Sequence, residues 1–306
     1  MQDGPRNSCV TPPSFRAAGG MSHPGGVRRP RGMKIAIVGG TGTLGRQVAE
    51  ELRARGHQTR VLSRNAPRYR VDLATGDGLA EALDGCEVVV DASNNSSKDA
   101  AATLVEGTRR LLAVGQLAGV RHHVCVSIVG CERVPMGYFQ VKAAQEDVVS
   151  RAAVPWTIVR ATQFHEYVAA MMDAAARYRA VPVPKALLQP VACAEVARVV
   201  ADVAERAPRR GRTEIGGPEV ASLRELAETW RRAAGRHPAL VPLPLPGRLG
   251  RALRRGALTT RQPDVRGGLT FTAWAERTLA GRPPATGRAE EAGRAEEAGR
   301  AEGARA

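Results

Sequence analysis

Lys34-Ile35-Ala36-Ile37-Val38-Gly39-Gly40-Thr41-Gly42-Thr43-Leu44-Gly45 is an apolar run that passes directly into a glycine-rich turn. Residues 35–38 have the length and β-branched content of a buried strand. Gly39, Gly42 and Gly45 follow at GxxGxxG spacing, and Leu44, Val48, Ala49 and Leu52 then recur at helical intervals until Gly56. Strand, glycine turn and helix in that order predict a dinucleotide site. One glycine makes the tight turn, one lets the backbone approach a pyrophosphate, and one lets the helix pack close on the strand. Thr41, Thr43 and Leu44 complete the loop, and the helix N-terminus would take the phosphates.

The segments that follow alternate strand and helix. A strand over 58–62 ends at Ser63-Arg64. A carboxylate there would hold the 2′-hydroxyl of NAD, whereas a serine and a guanidinium suit a 2′-phosphate. NADP(H) is therefore the expected cofactor and NAD(H) the alternative; without a ligand, Arg64 reads as a solvated loop arginine. A short strand over 69–71 leads to Asp72-Leu73 at the adenine edge, and a helix over 78–83 follows. A strand over 87–90 runs into Asp91-Ala92-Ser93-Asn94, placed at a carboxyl end, where parallel sheets bind ligands. A long helix over 100–118 carries Leu104, Leu111, Leu112 and Leu117 largely on one side. The next strand, over 122–129, starts with His122 and His123 away from the ligand crevice and brings Ser127 near it. The fold class is α/β: a Rossmann-type doubly wound parallel sheet with a small C-terminal substrate-facing subdomain.

Tyr138-Phe139-Gln140-Val141-Lys142 sets a phenol and an ammonium four residues apart at the start of a helix, on one face and one turn apart. A nearby ammonium lowers a phenol's pKa from about 10, which would let Tyr138 move a proton near neutrality. Lys142 would also hold the nicotinamide-ribose hydroxyls. Ser127 would orient a substrate carbonyl; its other reading is purely structural. These pieces, with Val126-Ser127-Ile128-Val129-Gly130 and Thr157-Ile158-Val159-Arg160-Ala161-Thr162-Gln163-Phe164, give the resemblance. The sequence resembles an atypical short-chain dehydrogenase/reductase of the NmrA-like, NAD(P)H-binding group over nearly all of residues 33–280. The resemblance implies a Rossmann fold, bound NAD(P)(H), and Ser127, Tyr138 and Lys142 in catalytic positions. The short loop between Ser127 and Tyr138, with Pro135 and Gly137, departs from the family pattern. Gln163 and Phe164 are expected at the nicotinamide end. His165 and Glu166 would either meet substrate or stand solvated at a helix start.

The formal charge is +15, and of the 45 basic residues only Lys34, Lys98, Lys142 and Lys185 are lysines. That skew reads as much like GC-rich coding as like a binding surface. Residues 209–266 carry 13 Arg against five acids, without basic-aromatic interleaving or a nucleic-acid motif, so no nucleic-acid partner is expected. The five cysteines have neither CxxC nor Cys/His ligand spacing, which predicts no disulfide framework and no metal. With no apolar run of membrane-spanning length and no signal-peptide pattern, the expectation is a cytoplasmic protein without membrane association.

Residues 1–32 read as a disordered extension, with Met21 or Met33 as the natural start. Residues 33–180 form the NAD(P)-binding core. Residues 181–280 form a smaller substrate-facing part interleaved with it, its short strands punctuated by prolines, and 281–306 a low-complexity Arg/Glu/Ala/Gly tail. The functions consistent with this pattern are an NADP(H)-dependent oxidoreductase of a small carbonyl or quinone-like substrate, a non-catalytic NADP(H)-binding redox sensor acting on a protein partner, and a cofactor-binding isomerase or complex subunit.

Overall fold

The computed structural model describes residues 32–280 together with Met1. Apart from Met1 and Gly32, the expected N-terminal extension lies outside the described residues, as does the expected tail.

Strand β1 (Lys34–Val38) is buried on both faces, as an inner parallel strand must be. Ile35 and Ile37 point to one apolar layer, and Ala36 and Val38 to the other. Around it stand β2 (Gln58–Ser63), β3 (Tyr69–Arg70), β4 (Val88–Asp91), β5 (His122–Ile128), β6 (Trp156–Ala161), β9 (Arg212–Gly216) and β12 (Val265–Arg266). They form one eight-stranded sheet in the order β3-β2-β1-β4-β5-β6-β9-β12. Every pairing in it is parallel. The strand order reverses direction between β1 and β4, the topological switch at which such sheets open a crevice.

Helices cover both faces. α1 (Thr43–Ala54) and α6 (Cys193–Glu205) share the first layer, with Leu44, Val48 and Leu52 packed against Val196, Val200 and Ala204. The second layer holds α2 (Leu79–Leu83), α3 (Gly107–Leu117), which continues a π-helical turn over Ala102–Glu106, and α4 (Gly137–Ser150). Leu104, Leu111 and Leu112 are buried as expected, but Leu117 is 90% exposed. It lies six residues past Leu111, and at roughly 100° per residue that carries it to the outer side.

The C-terminal stretch contributes to both the main sheet and a third apolar cluster. β9 and β12 extend the sheet. β7 (Ala180–Pro184) pairs with β11 (Ala239–Leu243), and β8 (Leu187–Leu188) pairs with β10 (Ala221–Ser222). α5 (His165–Ala176), α7 (Leu223–Ala233) and α9 (Phe271–Thr278) enclose Met172, Trp230, Phe271 and Trp274. α7 opens on the capping box anticipated from Ser222 and Glu225. α8 (Gly247–Arg254) lays Leu249 and Leu253 against Phe139 and Val134, just beyond the end of β5.

The β1-to-α1 turn tolerates no side chain at Gly45, where a Cβ would stand 2.3 Å from the Gly39 carbonyl oxygen. Gly45→Ala should cost about 1–3 kcal/mol through overpacking. Thermal denaturation is the check, and an unchanged midpoint would mean that this contact does not hold the turn.

Candidate active site

The crevice is built on the β1-to-α1 turn. Gly39 has φ +70°, a conformation that suits glycine. A Cβ there would lie 2.6 Å from the Ala92 carbonyl oxygen and 2.9 Å from the Ser93 Cα, so the turn is pressed against the segment leaving β4. The Gly42 N–H donates to the Gly39 carbonyl at 2.9 Å, and the Gly40 N–H donates to the Leu62 carbonyl at 3.2 Å, which ties the turn to β2. Gly42 is the N-cap of α1, with no side-chain cap and no acidic residue in the first turn. Thr41, Gly42 and Thr43 are exposed and Leu44 is buried. A helix start with open N–H groups is an anion site.

The other predicted cofactor residues surround this turn. Ser93 is buried, and its hydroxyl has no hydrogen-bond partner. Its N–H donates to Asp91 Oδ1 at 3.0 Å. At the end of β2 the Ser63 hydroxyl accepts from the Asn65 N–H at 3.2 Å, and Arg64 is exposed. Asp72 accepts the Ala74 N–H at 2.8 Å, and Leu73 is buried against the backbone of Gly107. A side-chain-free turn, an uncapped helix start and an unsatisfied buried hydroxyl beside them are what a dinucleotide would fill, so these residues fit that group.

The three catalytic candidates do not converge. Tyr138, at the start of α4, is half-buried and donates its hydroxyl proton to Asn94 Oδ1 at 2.7 Å. Its ring meets Phe139 edge to face at 5.6 Å. Burial pushes the phenol's pKa up, and Tyr167 and Cys131 add to the effect. The expected lowering by Lys142 is absent. One turn further into α4, Lys142 lies over β5 and is buried, its Nζ donating to the Val126 carbonyl at 2.8 Å and to Gln145 Oε1 at 2.6 Å. Gln145 Nε2 in turn donates to Asp91 Oδ2 at 3.1 Å and to Thr108 Oγ1 at 3.0 Å. A buried chain of polar groups therefore runs from Lys142 through Gln145 and Asp91 to the backbone of Ser93.

Ser127 shares its sheet face with His123 and Cys125 and is buried, its hydroxyl without a hydrogen-bond partner among the described residues. Arg160 grips Glu146 through two hydrogen bonds, of 2.8 and 2.6 Å, and Arg212 adds a third at 3.0 Å. Burial pushes the Glu146 carboxyl up, but Arg160 and Arg212 outweigh it and hold it below the usual carboxylate range. Cys131, against the same carboxylate, is pushed up to about 11, chiefly by burial.

At the end of β6, Gln163 spans two backbone groups, donating to the Leu258 carbonyl at 2.9 Å and accepting the Gln189 N–H at 3.0 Å. Phe164 bridges to Val191 and packs on the first apolar layer. His165 is neither solvated nor open to substrate. It is fully buried, 2.9 Å from the Leu269 carbonyl and within 5.6 Å of the Phe271 and Trp274 rings, and burial lowers its pKa. Glu166 accepts the Cys193 N–H at 3.3 Å, and its carboxyl is pushed up by burial.

Sequence reasoning missed Thr108, Gln145 and Glu146. Three of the four buried residues of α4 are Lys142, Gln145 and Glu146, so apolar periodicity carries no trace of that helix's inner face. Spacing also gave no hint that Asp91, His123 and Cys125 bring potential ligand atoms within 4.8 Å of one another. Asp91 is already engaged by Ser93, Thr108 and Gln145, and burial pushes the Cys125 thiol up.

Residues 39–207 match the model of a family described as NAD(P)H-binding. Among curated proteins, the chain is 29% identical over 152 residues to the photosystem II assembly factor Ycf39 of Trieres chinensis; the match spans 44% of this chain and 47% of that protein. Among solved structures, a nucleoside-diphosphate-sugar epimerase of Staphylococcus aureus superposes with a TM-score of 0.64 at 16% identity, covering 80% of this chain and 100% of that one. An NADPH-dependent quinone oxidoreductase of Escherichia coli, complexed with NADPH, gives a TM-score of 0.62 at 17% identity over 79% and 99% of the two chains. These likenesses establish the Rossmann fold.

Glu146→Gln removes the buried carboxylate that Arg160 grips, leaving Arg160 with the more exposed Glu132 and Glu214, and should destabilise the protein by up to about 3–5 kcal/mol. The pH dependence has a definite sign. A glutamate in the unfolded chain titrates near pH ~4.3 and Glu146 titrates lower when folded, so its contribution is present above that pH and lost as pH falls through the folded value. Urea unfolding across the acid range should therefore give a flatter curve for the variant than for the parent. Parallel curves would remove Glu146 from the acid response.

Proposed function

The chain belongs to the NAD(P)H-binding family, and from that premise we propose that it is an atypical short-chain dehydrogenase/reductase of the NmrA-like group, acting as an NADP(H)-dependent reductase of a small carbonyl or quinone-like substrate. When bound, the reduced nicotinamide supplies the hydride. The turn at Gly39, Thr41, Gly42, Thr43, Leu44 and Gly45 would hold the pyrophosphate, and Ser63 and Arg64 the 2′-phosphate. Asp72 and Leu73 would face the adenine; Ala92, Ser93, Asn94, Gln163 and Phe164 would face the nicotinamide side.

The observation that carries this reading is the Tyr138 hydroxyl. It stays protonated at neutral pH, and Asn94, on the segment leaving β4, fixes its direction at 2.7 Å. A substrate carbonyl replacing Asn94 as acceptor would take that hydrogen bond, and the proton on Tyr138 Oη would pass to the carbonyl oxygen. Lys142 serves as a positioning residue in this scheme. It steadies Ser93 through Gln145 and Asp91, while the buried Ser127 hydroxyl is left without a partner of its own.

A second reading is a cofactor-binding regulator or complex subunit acting on a protein partner. It is favoured by the commitment of Lys142 to buried contacts away from Tyr138. The name of the Trieres chinensis relative, an assembly factor, points the same way, although the chain spans about half the length of the curated relatives it matches. No helix among the described residues is long and apolar enough to cross a membrane, and we place the protein in the cytoplasm as part of the proposal.

Tyr138→Phe removes only the hydroxyl, and turnover on a carbonyl and quinone panel should fall about 10²–10⁴-fold with NADPH affinity unchanged. Full activity in that variant would remove Tyr138 from the reaction. A parent protein in which no member of the panel oxidises NADPH, yet which binds a partner differently in NADPH and NADP⁺, would favour the regulator. Arg64→Ala should cost NADPH about 1.5–3 kcal/mol of binding and leave NADH binding unaffected. Equal affinities of the parent for the two cofactors would refute the assignment of Arg64.

A further inference from the structure

Away from the crevice, a cleft of about 470 Å³ lies along β2 and is lined by Lys34, Arg53, Arg60, Arg68, Thr59 and Tyr69, with Gln58, Val61 and Pro67 completing it. It exists because β3 is so short. Only Leu62 and Ser63 of β2 pair with β3, so residues 58–61 form an open strand edge over which these side chains gather. The cleft follows the amino-terminal half of β2, and the predicted 2′-phosphate residues stand at the strand's other end.

Four cationic groups line this cleft and no carboxylate does. Lys34, Arg53 and Arg68 have no acidic partner among the described residues. Solvated arginines on a strand edge would fan apart to reduce repulsion, but two of these are held together. The Arg60 and Arg68 guanidinium carbons lie 4.9 and 5.3 Å from the Tyr69 ring centroid, so one aromatic ring arrays both cations. Arg60 is further fixed by donating to the Ala82 carbonyl at 2.9 Å and the Glu81 carbonyl at 3.2 Å, at the end of α2. The Thr59 hydroxyl is buried at the cleft without a hydrogen-bond partner. Two preorganised guanidiniums with a third arginine and an ammonium lining the same cleft are a donor set that binds phosphate oxygens.

We propose that this cleft is a second anion site, separate from the dinucleotide crevice, that takes a small molecule bearing two or more linked phosphate groups. A single phosphate would leave most of the four cations uncompensated, whereas a diphosphate would neutralise them across the cleft.

The test is calorimetric titration of the full chain at low salt with excess NADPH present, using inorganic pyrophosphate as one probe and ADP as the other. One equivalent should bind. Arg68→Gln and Lys34→Gln should each weaken it about tenfold or more, the scale of one charge-assisted contact, and Tyr69→Leu should weaken it while leaving every cation in place. Binding should be the same with excess NADH as with excess NADPH, which separates this site from the 2′-phosphate position even if the cofactor assignment fails. Tighter binding of ADP than of pyrophosphate would assign a nucleotide, and equal binding would assign the phosphates alone; either outcome supports the site. No binding of either probe with NADPH present, including the case in which only an acidic protein binds, would overturn the proposal. So would pyrophosphate binding that is indifferent to Arg68 and Lys34.

Discussion

No side-chain atom fits between the Gly39 carbonyl and the backbone of Gly45, or between Gly39 and the Ala92 carbonyl. That double contact sets how closely α1 approaches β1 and how closely the end of β4 approaches the turn. The rest of the crevice follows from it. Because the turn is tight, α1 begins with its N–H groups open, and because β4 passes so near, Ser93 and Asn94 border the same space. The switch in strand order between β1 and β4 then leaves room above them that no crossover helix fills.

Behind the crevice the protein buries charge where a simpler α/β fold would bury leucine. Glu146 on α4, Arg160 on β6 and Arg212 on β9 hold a helix and two neighbouring strands of the sheet together, with Glu132 and Glu214 at the margin. Such a cluster contributes little net stability, because desolvation offsets most of the attraction, but breaking it is costly. Its geometric effect is to fix how α4 sits on the sheet. The Lys142–Gln145–Asp91 chain does the same one turn away, so the helix carrying Tyr138 is held by polar contacts that are satisfied in one arrangement.

Features that follow from local backbone constraints were legible in the sequence. The glycine turn is one, since only glycine meets its positive φ and close contacts. The parallel sheet is another, because β1 and most of β4 read as continuous apolar runs and β4 to β6 are buried on both faces, and so is the capping box at Ser222. The helical spacing of Tyr138 and Lys142 was also readable, but spacing says nothing of how a helix is rolled against a sheet. That roll, set by Glu146 and Gln145, turns Lys142 under β5 and leaves Tyr138 at the mouth. Ser127 was placed at the correct end of β5, while the face it takes follows from the strand's alternation with Cys125 and His123. His165 could not be read, because the Phe271 and Trp274 rings that enclose it come from α9, about a hundred residues away.

A chain so rich in arginine has very few primary amines, and their environments differ sharply. Lys98 and Lys185 are exposed and Lys34 is partly so, whereas Lys142 is 3% exposed. An acylating reagent would therefore modify the first three quickly and reach the fourth only when α4 lifts from β5. The native chain thus contains its own probe of local opening: the rate of Lys142 acylation, followed by peptide mass, measures how often the helix bearing Tyr138 leaves the sheet while the rest of the protein stays folded.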